Sequence, residues 1–332
     1  MNIHRSLFPR RALAWLAVFS LSLGSISAVP LKVAYSDWPG WTAFAIGAEK
    51  GWFKAAGVDV ELLWFEYGPS MEAFTAGKVD AVMVTNGDAL VTGATGGKNV
   101  MILVTDYSNG NDMVVAKPGI KSLKDLKGGK IGVEVGLVDH LLLLNGLKKA
   151  GLSESDVTLV PTPTNQAPQV LASGQVDAVA AWQPNSGAAL KALPGSTAVY
   201  TSADEPGLIY DMVTVTPQSL AQHRAEWVKF VSVWNKIVAY LTDPATRADG
   251  IKIMAARAGV TPEDYAAFMG GTKLLTLAEG AKKLASKSAG FESVAGSAKI
   301  ADGFNVKNEV YKQSQDVATY IDASLMLEAV KK

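Results

Sequence analysis

Short apolar runs alternate with longer amphipathic stretches along most of the chain. The runs Leu31 to Tyr35 and Val58 to Phe65 predict strands, and the run Ala81 to Val84 is typical of a buried strand in a parallel sheet. The spacing of apolar residues between these runs predicts helices from about Trp41 to Ala56 and from Pro69 to Ala76. Strand and helix therefore follow each other in the order of a βαβαβ unit.

The same order begins again after residue 129. Apolar runs predict strands at Lys130 to Val135, Val157 to Val160 and Val176 to Ala181. The stretches between them predict helices at Val138 to Ala150 and Pro168 to Ser173. The second unit therefore repeats the first.

A short motif marks the repeat. The residues Val-Asp-Ala-Val occur at Val79 to Val82 and again at Val176 to Val179, each time after a Gly and one polar residue. Because Asp80 and Asp177 occupy the same place in both units, we interpret them as structural residues rather than site residues. The polar cluster that follows each copy is the better candidate for a site.

These patterns predict an α/β protein with two lobes, each holding a parallel-type sheet flanked by helices. The chain would cross between the lobes at Met113 to Ala116 and again near Ser202 to Pro217. The predicted first lobe comprises residues 29–112 and 205–332, and the second comprises residues 113–204. Two crossings form a hinge, and a ligand would lie in the cleft, at the carboxyl ends of the strands.

Composition and charge narrow the possible functions. The 332 residues include 31 Lys plus Arg and 31 Asp plus Glu, so the net charge is near zero and nothing favours binding to nucleic acid. Cysteine is absent, which excludes disulfides and a lipid anchor on an N-terminal cysteine. With 48% hydrophobic residues, the chain can form cores of its own.

The N-terminus has the features of a secretory signal peptide, residues 1–28. Arg5, Arg10 and Arg11 precede an apolar stretch from Ala12 to Leu23, and cleavage after Ala28 would release the mature chain into the periplasm. The alternative is a membrane anchor, but the apolar stretch is too short to span a bilayer.

Four segments together resemble the periplasmic solute-binding proteins of ABC importers, in the nitrate/taurine/sulfonate and thiamine-precursor superfamily. They read "YSDWPGWTAFAIGAEKGWFKAAGVDVELL", "EAFTAGKVDAVMV", "SLKDLKGGKIGVEVG" and "VLASGQVDAVAAWQP". The resemblance implies a two-lobed fold of type II, a small-molecule ligand, no cofactor, a monomer, and permease and ATPase subunits as partners. "TNGDAL" and "DYSNGND" resemble the urea-carboxylase-associated branch, which implies guanidine or a related nitrogen compound as ligand.

One departure from the sulfonate binders of this superfamily bears on the ligand. In those proteins the helix of the second lobe typically opens with Ser-Ala-His after Gly-Ser, whereas this chain reads "EVGLVDHLLLL". Asp139 would repel an anion docked at that helix start. Taurine, an alkanesulfonate or a thiamine-precursor pyrimidine remains the alternative ligand, and a ligand-sensing subunit the alternative role.

The candidate site residues are carboxylates, aromatics and a few polar side chains near the predicted cleft. A planar cation suits them, because a carboxylate accepts two parallel N–H bonds and indole faces stack on the ion. They are Asp37, Trp38, Trp41, Tyr67, Thr85, Asn86, Asp88, Glu134, Asp139, His140, Trp182 and Asp211.

Several of these residues have a structural alternative. Asp88 is equally a first-turn acid that stabilises a helix, and for Asp139 we favour that interpretation. Glu134 lies inside the apolar run Ile131 to Val135 and so needs a partner. Stacking on a ligand is favoured for Trp38 and Trp182 over core packing.

Nothing in the sequence favours an enzyme. The superfamily includes a pyrimidine synthase that depends on a cysteine-rich segment, which this chain lacks. No G-x-S-x-G motif occurs, and the three histidines, His4, His140 and His223, are too scattered for a His-rich zinc site. We therefore expect neither catalysis nor a metal.

Overall fold

The computed structural model describes Met1 and residues 29–331, so the predicted signal peptide, apart from its first residue, lies outside the described residues. Two sheets are present. The first has six strands in the spatial order β11-β4-β10-β3-β1-β2. Numbered in chain order, they are β1 (Leu31–Tyr35), β2 (Val60–Trp64), β3 (Ala81–Thr85), β4 (Val100–Ser108), β10 (Tyr210–Val215) and β11 (Thr272–Leu274).

The second sheet has five strands in the order β7-β6-β8-β5-β9. They are β5 (Met113–Ala116), β6 (Lys130–Val133), β7 (Thr158–Pro161), β8 (Ala178–Ala181) and β9 (Thr197–Thr201). We call the part built on the six-stranded sheet the first lobe and the part built on the five-stranded sheet the second lobe. The residue bounds of the two lobes stay a prediction.

Both sheets are mixed. The strands of each repeated unit are parallel, as predicted, but β10 runs antiparallel to β3 and β4, and β5 runs antiparallel to β8 and β9. Strands β5 and β10 are those on which the chain enters a new lobe. Strand β5 lies between β8 and β9, and β10 lies between β4 and β3, so each has an antiparallel neighbour on both sides.

Fifteen α-helices occur in the described part of the chain. They are α1 (Pro39–Thr42), α2 (Phe44–Glu49), α3 (Trp52–Ala55), α4 (Tyr67–Thr75), α5 (Asn86–Ala94), α6 (Val138–Lys149), α7 (Ala167–Ala172), α8 (Asn185–Ala192), α9 (Pro217–Gln222), α10 (Arg224–Thr242), α11 (Arg247–Ala258), α12 (Pro262–Phe268), α13 (Leu277–Ala285), α14 (Val294–Lys307) and α15 (Ser324–Ala329). Short 3-10 turns lie at Leu123–Leu126, Glu154–Asp156, Thr164–Gln166, Ser202–Asp204, Met269–Gly271, Gly290–Glu292 and Val317–Tyr320. None of the described helices is both long and apolar enough to cross a bilayer.

The late helices cover the first lobe. Trp227 and Trp234 of α10 are fully buried, and the ring of Trp234 stacks on that of Phe44 in α2, with 5.1 Å between centroids. These tryptophans therefore belong to the core, as their apolar helical spacing predicts.

The repeated motif has the same structural role in both lobes. The carboxylate of Asp80 accepts a hydrogen bond from the backbone N–H of Lys32 (2.9 Å), and that of Asp177 accepts one from Lys130 (2.7 Å). Each aspartate therefore ties the start of a third strand to the first strand beside it. The structural interpretation of the motif is confirmed.

Two predicted elements differ from the structure. The helix expected from Trp41 to Ala56 is divided into α1, α2 and α3, and Gly51, with a φ of 67°, provides the left-handed residue before α3. Strand β6 ends at Val133, so Glu134 follows the strand instead of lying inside it. Its side chain is only partly buried, because it points toward the boundary between the lobes.

Candidate functional site

An acidic row crosses the first sheet at the carboxyl end of β3. Asp211 of β10 pairs with Thr85 of β3 on one side and with Asp106 of β4 on the other. All three side chains are buried. Since residues opposite each other in an antiparallel pair lie about 5 Å apart on one face, the two carboxyl groups are direct neighbours.

These two carboxyl groups have unequal surroundings. Asp106 accepts hydrogen bonds from the indole Nε1 of Trp38 (3.0 Å) and from the hydroxyl of Thr105 (2.8 Å), and burial raises its pKa to about 6. Oδ2 of Asp211 has no hydrogen-bond partner in the described structure. Burial, and next the charge of Asp106, raise the pKa of Asp211 well above its ordinary value. The pair therefore holds a proton more tightly than two separate aspartates.

Helix α5 brings a third carboxyl group to this place. Thr85 is its N-cap, and the hydroxyl of Thr85 accepts a hydrogen bond from the backbone N–H of Asp88 (3.1 Å). The buried carboxylate of Asp88 accepts a hydrogen bond from the hydroxyl of Tyr67 (2.6 Å) and also interacts with the backbone N–H of Val138 in the second lobe. Burial raises the pKa of Asp88 to about 7. Asp88 is thus a first-turn acid whose side chain joins the two lobes.

Two further aspartates have oxygens without a donor. Oδ2 of Asp112, at the first crossing, and both carboxylate oxygens of Asp139, in the first turn of α6, have no partner among the described residues. Burial raises the pKa of Asp112 to about 7. Burial, and next the charges of Asp112 and Glu134, raise that of Asp139 well above its usual range. Asp139 lies in the first turn of α6, as predicted, but it does not cap the helix, because α6 has Leu137 as its N-cap and no side-chain cap bond.

These five side chains, which we call the buried aspartate group, interact electrostatically with one another across the lobe boundary. The group comprises Asp88, Asp106, Asp112, Asp139 and Asp211. The ion pairs found among residues 29–331 involve none of them. The described side chains also contain no cluster of three or more His, Asp or Glu residues arranged to hold a metal.

Aromatic rings pack beside the group. Tyr67 stacks on Trp41 with 5.5 Å between centroids and meets the edge of Trp182 of the second lobe at 5.0 Å. Trp38 lies 6.4 Å from Trp41. The indole Nε1 of Trp41 is buried and has no acceptor within the described structure, so it is free to bind another group.

A cavity of about 250 Å³, lined in part by Tyr67, opens between the lobes. It is lined by Asp37, Glu66, Tyr67, Gly68, Pro69, Glu134, Pro163, Thr164, Asn165, Gln166, Trp182 and Asn185. Three of these residues are carboxylates, and no lysine or arginine is among them. The cavity is therefore acidic and partly aromatic.

Asp37 joins the two lobes at this cavity. Its two oxygens accept hydrogen bonds from Nε1 of Trp182 (3.2 Å) and Nδ2 of Asn185 (3.0 Å), both in the second lobe, and burial raises the pKa of Asp37 to about 6. Glu134 accepts a hydrogen bond from the hydroxyl of Thr164 (3.1 Å), and burial raises the pKa of Glu134. The partner that Glu134 needs is therefore a neutral hydroxyl.

The structure brings most of the predicted site residues together. Asp37, Tyr67, Glu134 and Trp182 line the cavity, while Trp38, Thr85, Asp88, Asp139 and Asp211 belong to the buried aspartate group or bond to it, and Trp41 packs on Tyr67. Their role in binding a ligand stays a prediction.

Two predicted residues are engaged elsewhere. The side-chain amide of Asn86 donates to Ser297 (2.9 Å), and its oxygen accepts from the backbone N–H of Tyr210 (2.9 Å). Nδ1 of His140 accepts from the backbone N–H of Gly136 (3.2 Å), and its ring meets the edge of Phe304. Burial lowers the pKa of His140 to about 4, so the ring is neutral at pH 7.

Sequence reasoning missed Thr164. The segments Glu66 to Tyr67, Asp106 to Asp112 and Trp182 to Asn185 were predicted to reach the cleft, but Asp106, Asp112, Glu66 and Asn185 were not selected from them as candidate residues. Asp106 ends the apolar run of β4, and a polar residue at the end of a buried strand is the signal that would have found it. The other four lie in segments where turn formation explains the same residue types equally well.

The two sheets and the cleft between them show the class of protein. It is a two-lobed α/β protein with the architecture of the periplasmic binding proteins. The crystal structure of the periplasmic aliphatic sulphonate binding protein SsuA from Escherichia coli matches with a TM-score of 0.73 and 19% identity, covering 88% of this chain and 92% of that one. The desulfurization enzyme DSZB matches with a TM-score of 0.62 and 16% identity, covering 91% and 99%. At such identities the likeness concerns the fold alone.

The family follows from the sequence comparison. The model of the family described as "NMT1/THI5 like" matches residues 38–248, and the chain belongs to this family. A protein of Brucella abortus named "Putative binding protein" is 31% identical over 195 residues, which are 58% of this chain and 60% of that protein. The match thus spans about 60% of the length of this relative.

Proposed function

We propose that this protein is the periplasmic solute-binding component of an ABC importer. In this role it captures a small nitrogen-containing cation of the guanidinium type between its lobes and delivers it to permease and ATPase subunits. The family and the two-lobed fold support the role of a binding protein. The charges in the cleft support the choice of a cation.

One observation carries the choice of ligand charge. Oxygens of Asp112, Asp139 and Asp211 are buried at the lobe boundary without any donor in the described structure. A buried carboxylate without a partner is unstable, and it either takes up a proton or pairs with a cation. No lysine or arginine of the described chain forms an ion pair with these groups, so a cationic ligand would supply the positive charge that the ionised carboxylates lack.

The aromatic side chains favour a planar cation. Trp41, Tyr67 and Trp182 form a continuous set of rings beside the acidic groups. A guanidinium ion can stack on such a ring and donate pairs of parallel N–H bonds to carboxylates. An ammonium ion is a compact point charge and has no planar face to stack on a ring. The carboxylates and aromatic rings together therefore suit a planar cation better.

The alternative is an alkanesulfonate, as in the name of the E. coli structure with the same fold. An anion would have to dock at the start of α6, where helix N–H groups attract negative charge. In this structure the carboxylate of Asp88 already interacts with Val138 there, and Asp139 adds another acid. In their ionised forms these two acids would repel a sulfonate.

A thermal-shift screen of the mature chain tests the proposal. Guanidinium and methylguanidinium are expected to raise the melting temperature at millimolar concentration, because a ligand that binds only the folded state stabilises it by mass action. Urea is the matched control, since it is planar and of similar size but uncharged. Taurine and methanesulfonate complete the set. A shift with the sulfonates and none with the cations would refute the proposal.

A further inference from the structure

Asp139 differs from Asp249, the first-turn aspartate of a helix of the same length. Helices α6 and α11 both have 12 residues and an aspartate in the first turn. In α11, Asp249 is exposed, accepts a hydrogen bond from Tyr240 (2.9 Å) and pairs with Lys50 (2.7 Å). In α6, Asp139 is 0% exposed, and neither of its oxygens has a partner in the described structure.

No hydrogen bond within the described structure stabilises the side chain of Asp139 at the start of α6. It does not cap the helix, and the charged groups that face it are Asp88 from α5, Asp112 from the crossing and Glu134 from the end of β6, all of them acids. Burying an acid among acids lowers stability. A neutral residue of the same shape would fit the fold better, so the acid is explained by something that the folded chain itself does not contain.

The start of a helix normally favours an anionic ligand, because its free N–H groups and the helix dipole attract negative charge. Two acids reverse this preference here. Asp88 interacts with the backbone N–H of Val138, and Asp139 follows directly in the chain. The position at which the fold would hold an anion is therefore occupied by two buried acids at the lobe boundary.

We propose that Asp139 is the residue that makes this cleft select a cation over a neutral or anionic solute of similar shape. The inference rests on the proposed function and deepens it. The cation donates hydrogen bonds to both carboxylate oxygens of Asp139. It thereby supplies the donors that these oxygens lack in the described structure. Trp41, whose buried Nε1 is also without an acceptor, lies in the ring set beside the same group.

The test compares wild type with Asp139→Asn by isothermal titration with guanidinium chloride and with urea. The variant is expected to bind guanidinium at least about 30-fold more weakly, as on loss of one partner of a buried charge pair. Urea binding changes little, so the preference for guanidinium over urea falls by the same factor. The ligand-free variant melts at the same temperature as wild type or higher, which a purely structural role would not produce.

Two further variants complete the design. Asp249→Asn is the matched control, expected to melt at a lower temperature with unchanged guanidinium affinity. Asp139→Ser repeats the test with a smaller neutral side chain if the asparagine variant does not fold.

The outcomes separate the two proposals. Wild type that binds guanidinium while Asp139→Asn binds it within about 3-fold overturns the role of Asp139 and leaves the proposed function standing. A lower melting temperature of the ligand-free Asp139 variants overturns that role as well. Wild type that binds only sulfonates overturns the proposed function, and with it the inference.

Discussion

At the scale of single residues, a glycine is needed for the packing of the acidic row. A Cβ atom at Gly40 would overlap the carboxylate of Asp106, which the indole of Trp38 holds in place from the same segment. Gly40 has no positive φ and lies in α1, so it is space, not backbone conformation, that requires glycine here.

We predict that Gly40→Ala lowers the free energy of unfolding by about 1–3 kcal/mol, because the methyl group forces Asp106 or α1 to move. Gly303→Ala is the control. A Cβ at Gly303, inside α14, meets nothing within 4 Å, and alanine there should stabilise the protein by up to about 1 kcal/mol. Urea unfolding followed by circular dichroism measures both, and equal effects of the two substitutions would contradict the prediction.

At the scale of elements, the starts of helices bring chemical groups to the cleft. The N-cap threonine of α5 and that of α12 have the same geometry: Oγ1 of Thr85 accepts from Asp88 (3.1 Å), and Oγ1 of Thr261 accepts from Asp264 (3.2 Å). Only the first of these caps also positions an acid of the buried aspartate group. Substitutions at these two caps can therefore distinguish an effect on stability from an effect on ligand binding.

We predict that Thr85→Ala and Thr261→Ala each lower the free energy of unfolding by about 1 kcal/mol, the usual effect of losing a helix cap. Thr85→Ala alone should weaken guanidinium binding, since Asp88 loses the turn that orients it. Denaturant titration gives the first quantity and isothermal titration the second. Loss of affinity in Thr261→Ala, or none in Thr85→Ala, would argue against a role of α5 in the site.

At the scale of the whole molecule, closure brings acidic groups of both lobes together. Asp37 of the first lobe bonds to Trp182 and Asn185 of the second, and Asp88 reaches the start of α6. The same closure removes the carboxyl groups from water. Burial raises the pKa to about 6 in Asp37 and to about 7 in Asp88.

We predict that the ligand-free protein loses stability as the pH rises from about 6.5 to about 8. An acid whose pKa is raised by folding binds its proton more tightly in the folded state, so its contribution is lost as the pH rises through the folded value. Asp88 and Asp112, both with a pKa of about 7, titrate in this window. The measurement is differential scanning calorimetry at several pH values.

The pH range starts at about 6.5 because His140 has the opposite effect on stability at lower pH. His140, with its pKa lowered to about 4, destabilises the folded state as the pH falls below its unfolded value near 6.5. Saturation with guanidinium is the control, because a bound cation takes the place of the protons and flattens the profile. Stability that rises between about pH 6.5 and about pH 8 without ligand would contradict the prediction.

Much of this protein follows from the sequence by itself. Apolar periodicity predicted the repeated βαβαβ units, and the recurrence of Asp80 and Asp177 identified a structural role that is confirmed by their bonds to Lys32 and Lys130. The two-lobed α/β fold is likewise confirmed. These features depend on which residues are apolar within each short segment, and that pattern can be read from the sequence directly.

Only the tertiary structure decided which acids meet. Asp106 and Asp211 are neighbours because β10 returns antiparallel beside β4, more than a hundred residues later in the chain, and the register of that pairing is not a local property. The same holds for Asp139, which the sequence presents as an ordinary first-turn acid. Whether such an acid reaches water or is buried among others depends on what the opposite lobe places against it, and that is fixed only when the lobes close.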